Sequence, residues 1–194
     1  MIAHAARLTA ILQADSDRQR LLAHVRALDL PDCWIGAGFA RDAVWDALHN
    51  RPPTIPSGDI DVIWFNKSCI DKAADDAIET RLRTLEPTFA WSVKNQARMH
   101  ARNNDPPYAS SIDAIRFWPE TATAIAVRLQ QNNQIEVAAP LGLDDLFHLI
   151  VRPTARFADE KRPVFQERVR TKRWLEKWPS LKLANPSKGR HSHK

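Results

Sequence analysis

Trp34-Ile35-Gly36-Ala37-Gly38-Phe39-Ala40-Arg41-Asp42, followed after a Pro-rich loop by Gly58-Asp59-Ile60-Asp61-Val62-Ile63-Trp64-Phe65, decides how this chain is read. A short apolar strand runs into a turn of small residues that opens a helix. The next strand begins with two carboxylates one residue apart. Residues i and i+2 of a strand project from one face, so Asp59 and Asp61 point together while Ile60, Val62 and Trp64 face the other way. Two convergent carboxylates repel unless a cation lies between them. The pair therefore reads as a divalent-metal site beside a turn that fits a phosphate.

Working outward, residues 3–12 read as a weakly specified helix. Ser16 with Gln19 resembles a capping box ahead of a helix whose face is Leu21, Leu22, Val25 and Leu28, and Pro31 ends it. Cys33-Trp34-Ile35 is a buried strand. Phe39, Ala40, Ala43, Val44, Ala47 and Leu48 form one face of the helix after the turn. Residues 50–58 carry three prolines and form a loop, and 59–65 form a strand. Ser68 is the expected cap of a helix running to Leu85, and Phe89 to about Gln96 reads as a strand. A turn at 103–107 leads to a short helix over 110–118. Alternation over Thr121–Leu129 predicts a strand, and Gln131-Asn132-Asn133 a hairpin turn into 134–138. A short helix is expected over 143–151 and another over 163–178, with Pro163 in its first turn.

Mixed strands and helices with one hairpin argue for an α+β fold, a mixed sheet flanked by helices. The expected organisation is one domain over 1–181, with its core at about 20–151, a C-terminal basic helix at 163–178, and a disordered basic tail at 182–194.

The net charge of +5 is unevenly placed. Residues 161–194 hold 11 Lys or Arg against 2 Asp or Glu, whereas residues 1–160 are net acidic. The basic end can contact nucleic acid or another polyanion, or be a solvated helix and tail. No apolar run approaches a membrane span and no signal peptide opens the chain, so the expected location is cytoplasmic with no membrane partner. Cys33 and Cys69 flank or enter apolar segments and are expected as free thiols. The seven tryptophans read as core, with Trp118 and Trp178, beside prolines, as candidates to stack on a base.

Gly36-Ala37-Gly38 between strand and helix, with Asp59 about 20 residues on, also matches a dinucleotide-binding fingerprint. Two details oppose that reading. Arg41 occupies the position where close helix–strand packing wants a small residue. The acids also open their strand, whereas a ribose-reading acid belongs at the strand's carboxyl end.

The order small turn, helix with Arg41-Asp42, Arg51-Pro52, then Asp59-Ile60-Asp61 resembles the DNA polymerase β-like nucleotidyltransferase superfamily. Ala37-Gly38 falls where that signature has Gly-Gly or Gly-Ser, and the stretch is similar to tRNA CCA-adding enzymes and poly(A) polymerases. Asn95-Gln96-Ala97-Arg98-Met99-His100, Trp118-Pro119-Glu120-Thr121-Ala122-Thr123, Ala139-Pro140-Leu141-Gly142-Leu143-Asp144-Asp145-Leu146-Phe147 and Lys172-Arg173-Trp174-Leu175 resemble a small bacterial nucleotidyltransferase family once described only as a domain of unknown function. That likeness covers roughly residues 20–180.

The resemblance implies a polymerase β-like core that moves a nucleoside monophosphate from an NTP to an acceptor hydroxyl on RNA, protein or a small molecule. Asp59 and Asp61 would hold Mg²⁺, in up to two ions, and Ala37, Gly38 and Arg41 would bind the triphosphate. Asp42 reads as a partner for a basic side chain. The superfamily usually adds a third carboxylate. Asp113 is the first choice here, with Glu120 and Glu136 as alternatives. Lys94, Arg98, His100 and Arg102 form a basic cluster suited to an anionic substrate. A CCA-adding enzyme itself is not the expected identity, since the stretch after the core is short for the large tRNA-gripping helical region of those enzymes. The rival reading is a non-catalytic nucleotide- or RNA-binding protein that uses the basic C-terminal segment.

Overall fold

Strict alternation on the central strands sorts the molecule into two unequal layers. The computed structural model describes residues 2–56 and 58–184. Helices α1 (Ile2–Gln13) and α2 (Ser16–Arg26) lead into strand β1 (Trp34–Gly36), helix α3 (Gly38–Leu48) and strand β2 (Ile60–Trp64). Then come α4 (Lys72–Leu85), β3 (Trp91–Asn95), α5 (Gln96–Asn103), α6 (Ser111–Ile115), β4 (Ala126–Leu129) and β5 (Ile135–Ala138). The chain closes with α7 (Asp144–Phe147), β6 (Ile150–Val151), α8 (Ala155–Ala158), α9 (Arg162–Lys172), α10 (Trp174–Lys177) and β7 (Lys182–Leu183).

Five strands form a mixed sheet in the order β3-β2-β1-β4-β5. Only β2 and β3 run parallel. Ile35, Ile60, Val62, Trp64, Val93 and Val127 face the main core, under α1, α2 and α3. The opposite face carries Trp34, Ile63, Ala126 and Ala138, covered by Ile115 of α6 and by Trp118. A mixed sheet flanked by helices is the α+β arrangement expected from the sequence, and the thinner cover on the second face leaves part of it open for chemistry.

Several boundaries differ from the sequence reading, each for a local reason. Asp15, not Ser16, caps α2 by accepting from the Arg18 N–H. Asp71, not Ser68, caps α4 by accepting from the Ala73 N–H, and Ile70 is exposed. The strand around Trp91 stops at Asn95, whose side chain caps α5. Thr121–Thr123 is a 3-10 turn, so β4 begins only at Ala126. The helix expected over 143–151 ends at Phe147, because Leu149 turns the backbone at φ 59° into β6.

The helix over 163–178 is broken at Arg173, with φ 51°, into α9 and α10. Lys182–Leu183, assigned to the tail, instead pairs in parallel with β6. The rest of the expected tail, residues 185–194, lies outside the described residues. Cys33 and Cys69 are free thiols.

Candidate active site

Cross-strand register places Asp61 on the open face. Its β3 partner is Ser92. The antiparallel pairing of Ile35 with Val62 sets Gly36 opposite it on β1. Burial, then the neighbouring Asp59 carboxylate, pushes the Asp61 carboxyl above its ordinary range. A hydrogen bond from Ser92 and the charges of Lys172 and Arg41 act in the opposite sense. Two hard oxygen donors that repel each other, one partly buried at Asp61 and one exposed at Asp59, fit a divalent cation.

A cavity of about 230 Å³ joins these residues to the turn. Its walls include Ala37, Gly38, Arg41, Asp59, Asp61, Arg168 and Lys172. All five residues that the sequence assigns to metal and triphosphate therefore meet here. Ala37 precedes α3 at φ 46°, ψ −116°, in the left-handed half of backbone space. The first N–H groups of a helix have no intrahelical acceptor and favour an anion. Arg41 is buried, stacked on Trp45 and Trp174 with its guanidinium carbon 5.0 and 4.7 Å from the ring centres. Its Nε and Nη2 donate to Asp42 at 2.9 and 2.6 Å. Asp42 is thus the partner of a basic side chain, as expected, and the edge of Arg41 that Asp42 occupies is unavailable to a phosphate.

None of the three candidates for a third carboxylate lines this cavity. Asp113 lies in α6, where its carboxylate accepts from the Ala109 N–H at 2.9 Å. Glu136 shares the open face but sits on β5, three strand spacings from β2, roughly 14 Å. There it pairs with Arg128 at 2.7 Å. Glu120 is fully buried and accepts from Thr123 Oγ1 at 2.7 Å and from Arg168 Nε at 2.8 Å. The positions beside Asp61 on the adjacent strands are Ser92 and Gly36, which carry no acid. Among the described residues, no group of three or more His, Cys, Asp and Glu is placed to hold a metal.

Sequence reasoning assigns Arg168 and Lys172 no role at the site: both fall in the basic segment, and Lys172 also in a stretch that carries the family resemblance. They lie four apart on α9 and so share one helix face. Trp174 and Trp178 fasten this part of the chain to α3. Trp45 meets their rings edge-on at 5.9 and 5.0 Å, and Trp178 Nε1 donates to Asp46 Oδ1 at 2.8 Å. Trp178, a candidate base-stacking residue, is therefore core. Asp46 also accepts from Thr54 Oγ1 at 2.5 Å, and the fully buried Arg18 donates to the carbonyls of Phe39 and Thr54 at 2.8 and 2.9 Å. These bonds hold the Pro-rich loop that delivers Asp59.

The expected basic cluster disperses. Arg98 pairs with the buried Asp75, His100 packs on Tyr108, and Arg102 is exposed. Only Lys94 of the four lines a cavity beside Asp61.

A larger cavity of about 340 Å³ lies at the other end of the sheet, against Arg26, Asp29, Cys33 and Arg128. It has no paired acids, and burial pushes the Cys33 thiol up to about 12, which keeps it protonated and unreactive. Chemistry, not size, makes Asp59 and Asp61 the candidate site. Among the described residues no helix is long and apolar enough to cross a membrane.

Comparison with known proteins identifies the fold and the family. A solved structure described as revealing a CCA-adding enzyme head domain is 32% identical, covers 92% of this chain and 94% of its own, and superposes with a TM-score of 0.82. A CCA-adding enzyme in complex with CTP (12% identity, TM-score 0.58) and one with ATP (13%, 0.52) share the fold. This chain spans 43% and 42% of their lengths and they cover 93% and 91% of it. No curated protein matches the chain. A nucleotidyltransferase family profile matches residues 23–183, and with the fold and the paired acids beside the turn it shows that the chain belongs to the nucleotidyltransferase family, as an NTP-using transferase.

Proposed function

We propose that this protein is an Mg²⁺-dependent nucleotidyltransferase that moves a nucleoside monophosphate from an NTP to an acceptor hydroxyl. The observation that carries the reading is one cavity that unites Asp59 and Asp61 with the α3 turn, Arg41, Arg168 and Lys172. Asp59 and Asp61 hold the metal. When bound, Mg²⁺ draws charge from the triphosphate and lowers the pKa of the attacking hydroxyl. The α3 N-terminus, Arg41 and Lys172 hold the β- and γ-phosphates.

The acceptor oxygen attacks the α-phosphorus. The bond to the bridging oxygen breaks, pyrophosphate leaves, and the acceptor's proton passes to solvent. Arg168, fixed by Glu120, offsets charge on the phosphoryl group in transit. In this reading the two aspartates act without a third carboxylate. Asp113 is not part of the machinery.

The test is transfer of label from α-labelled NTPs into RNA, protein and small-molecule extracts. Wild type should incorporate label and release pyrophosphate, and the Asp59→Asn, Asp61→Asn double variant should do neither. Transfer that persists in the double variant refutes the reading. No transfer by wild type, with RNA binding that depends on residues 182–194, favours a non-catalytic RNA-binding protein.

A further inference from the structure

Asp61 belongs to two cavities, not one. The second, also about 230 Å³, lies on its β3 side and shares Ala37, Asp61 and Arg168 with the first. Its remaining walls differ in chemistry. Ile63, Met99, Trp118 and Pro119 supply apolar surface, Gln96 and Asn103 supply carboxamides, and Lys94 supplies one cation. Asp61 is the one carboxylate among the described residues lining it.

Trp118 is the unusual member. It is partly exposed, whereas Trp34, Trp45, Trp64, Trp91, Trp174 and Trp178 are buried. Its ring lies directly on Gly36, so closely that a β-carbon there would collide with it. Gly36 is the cross-strand neighbour of Asp61. The absent side chain at Gly36 therefore lets a flat ring settle one strand from the carboxylate. The Trp118 backbone is held by Thr154, whose Oγ1 donates to its carbonyl at 2.8 Å.

We infer that this second cavity is a nucleoside pocket with Trp118 as its stacking platform, an assignment that rests on the nucleotidyl-transfer reading for its place beside the phosphates. A nucleoside matches the walls. Its base has a π face for Trp118 and a hydrogen-bonding edge for Gln96 and Asn103, each of which carries both donor and acceptor. Its sugar hydroxyls and any attached phosphate would face Asp61, Arg168 and the first cavity. The nucleoside can come from the donor NTP or from the end of the acceptor.

Adenosine and cytidine, which carry no phosphate, are the probes. They are titrated into the protein while the indole N–H signals of the tryptophans are followed by NMR, with Trp118 assigned from Trp118→Phe. At least one nucleoside should move the Trp118 signal. Trp118→Ala should weaken its binding about tenfold, and Trp118→Phe should restore most of it. Thermal melts establish that both variants are folded.

A Trp118 signal that neither nucleoside moves at millimolar concentration overturns the proposal. So does a folded Trp118→Ala that binds them as wild type does. Repeating the titration with saturating Mg-ATP separates the sources. Displacement of the nucleoside, with weaker ATP binding by Trp118→Ala, supports the pocket and assigns it to the donor base. Simultaneous binding, with ATP affinity unchanged in Trp118→Ala, supports the pocket and assigns it to the acceptor. The underlying reading is scored separately with Mg-tripolyphosphate, which should bind through Lys172 whether or not nucleosides bind.

Discussion

Residues 34–64 and residues 162–178 approach the candidate site from opposite ends of the chain, and they do so by different physics. The first segment is a continuous device. A strand, a small-residue turn, α3 and β2 place Asp59 and Asp61 beside a helix N-terminus within thirty residues of chain, with Arg18 and Asp46 steadying the loop between α3 and β2. The second segment reaches the same cavity because Trp174 and Trp178 bury themselves against Trp45 of α3 and Glu120 holds Arg168, which sets Arg168 and Lys172 over the carboxylates. Strand alternation can be read locally. A helix delivered by two distant tryptophans cannot.

The largest break in this comparison should come from the first segment. Asn at both Asp59 and Asp61 should lower nucleotide transfer about a thousandfold or more, measured by pyrophosphate release, while the melting temperature holds or rises as their repulsion is removed. Trp174→Ala comes next. It empties a buried site and should cost about 3 kcal/mol of stability in denaturant unfolding. It should also raise KM for the NTP, because Arg41 loses one of its two stacking partners.

Glu120→Gln sharpens the comparison further. If Glu120 only holds Arg168, the rate of transfer should fall about tenfold while the Mg²⁺ concentration for half-maximal activity stays unchanged. A raised Mg²⁺ requirement would make Glu120 a metal ligand instead. The smallest effect belongs to Ala37, which adopts φ 46° where the superfamily signature has glycine. Ala37→Gly should stabilise the protein by about 1 kcal/mol in thermal or denaturant unfolding, with transfer retained.

The α+β class, the central strands, the hairpin at 131–133 and the convergence of Ala37, Gly38, Arg41, Asp59 and Asp61 were readable because each depends on a two- or four-residue period and on chain-adjacent turns. Helix starts slipped where a nearer side chain won the cap, as Asp15 and Asp71 did over Ser16 and Ser68. The candidates for a third carboxylate stand outside the cavity for reasons the sequence does not display. Asp113, the first choice, turns back in α6 to accept from the Ala109 N–H, and the buried Glu120 answers Arg168, 48 residues away. The charge of the C-terminal segment was plain, yet its destination was hidden. The signal available was the pairing of Lys172-Arg173 with Trp174 and Trp178, a basic turn followed by two large anchors. It becomes decisive only once Trp45 is known to receive them.

Affinity for Mg-ATP in Lys172→Ala, measured by calorimetry beside Lys182→Ala, tests most directly whether α9 completes the nucleotide site. Lys172 is exposed and its loss should leave the fold intact. The expected result is about tenfold weaker binding for Lys172→Ala and wild-type binding for Lys182→Ala, which removes the same charge from β7, away from the cavity. Wild-type affinity in Lys172→Ala, or an equal loss in both variants, would contradict a site built from the two ends of the chain.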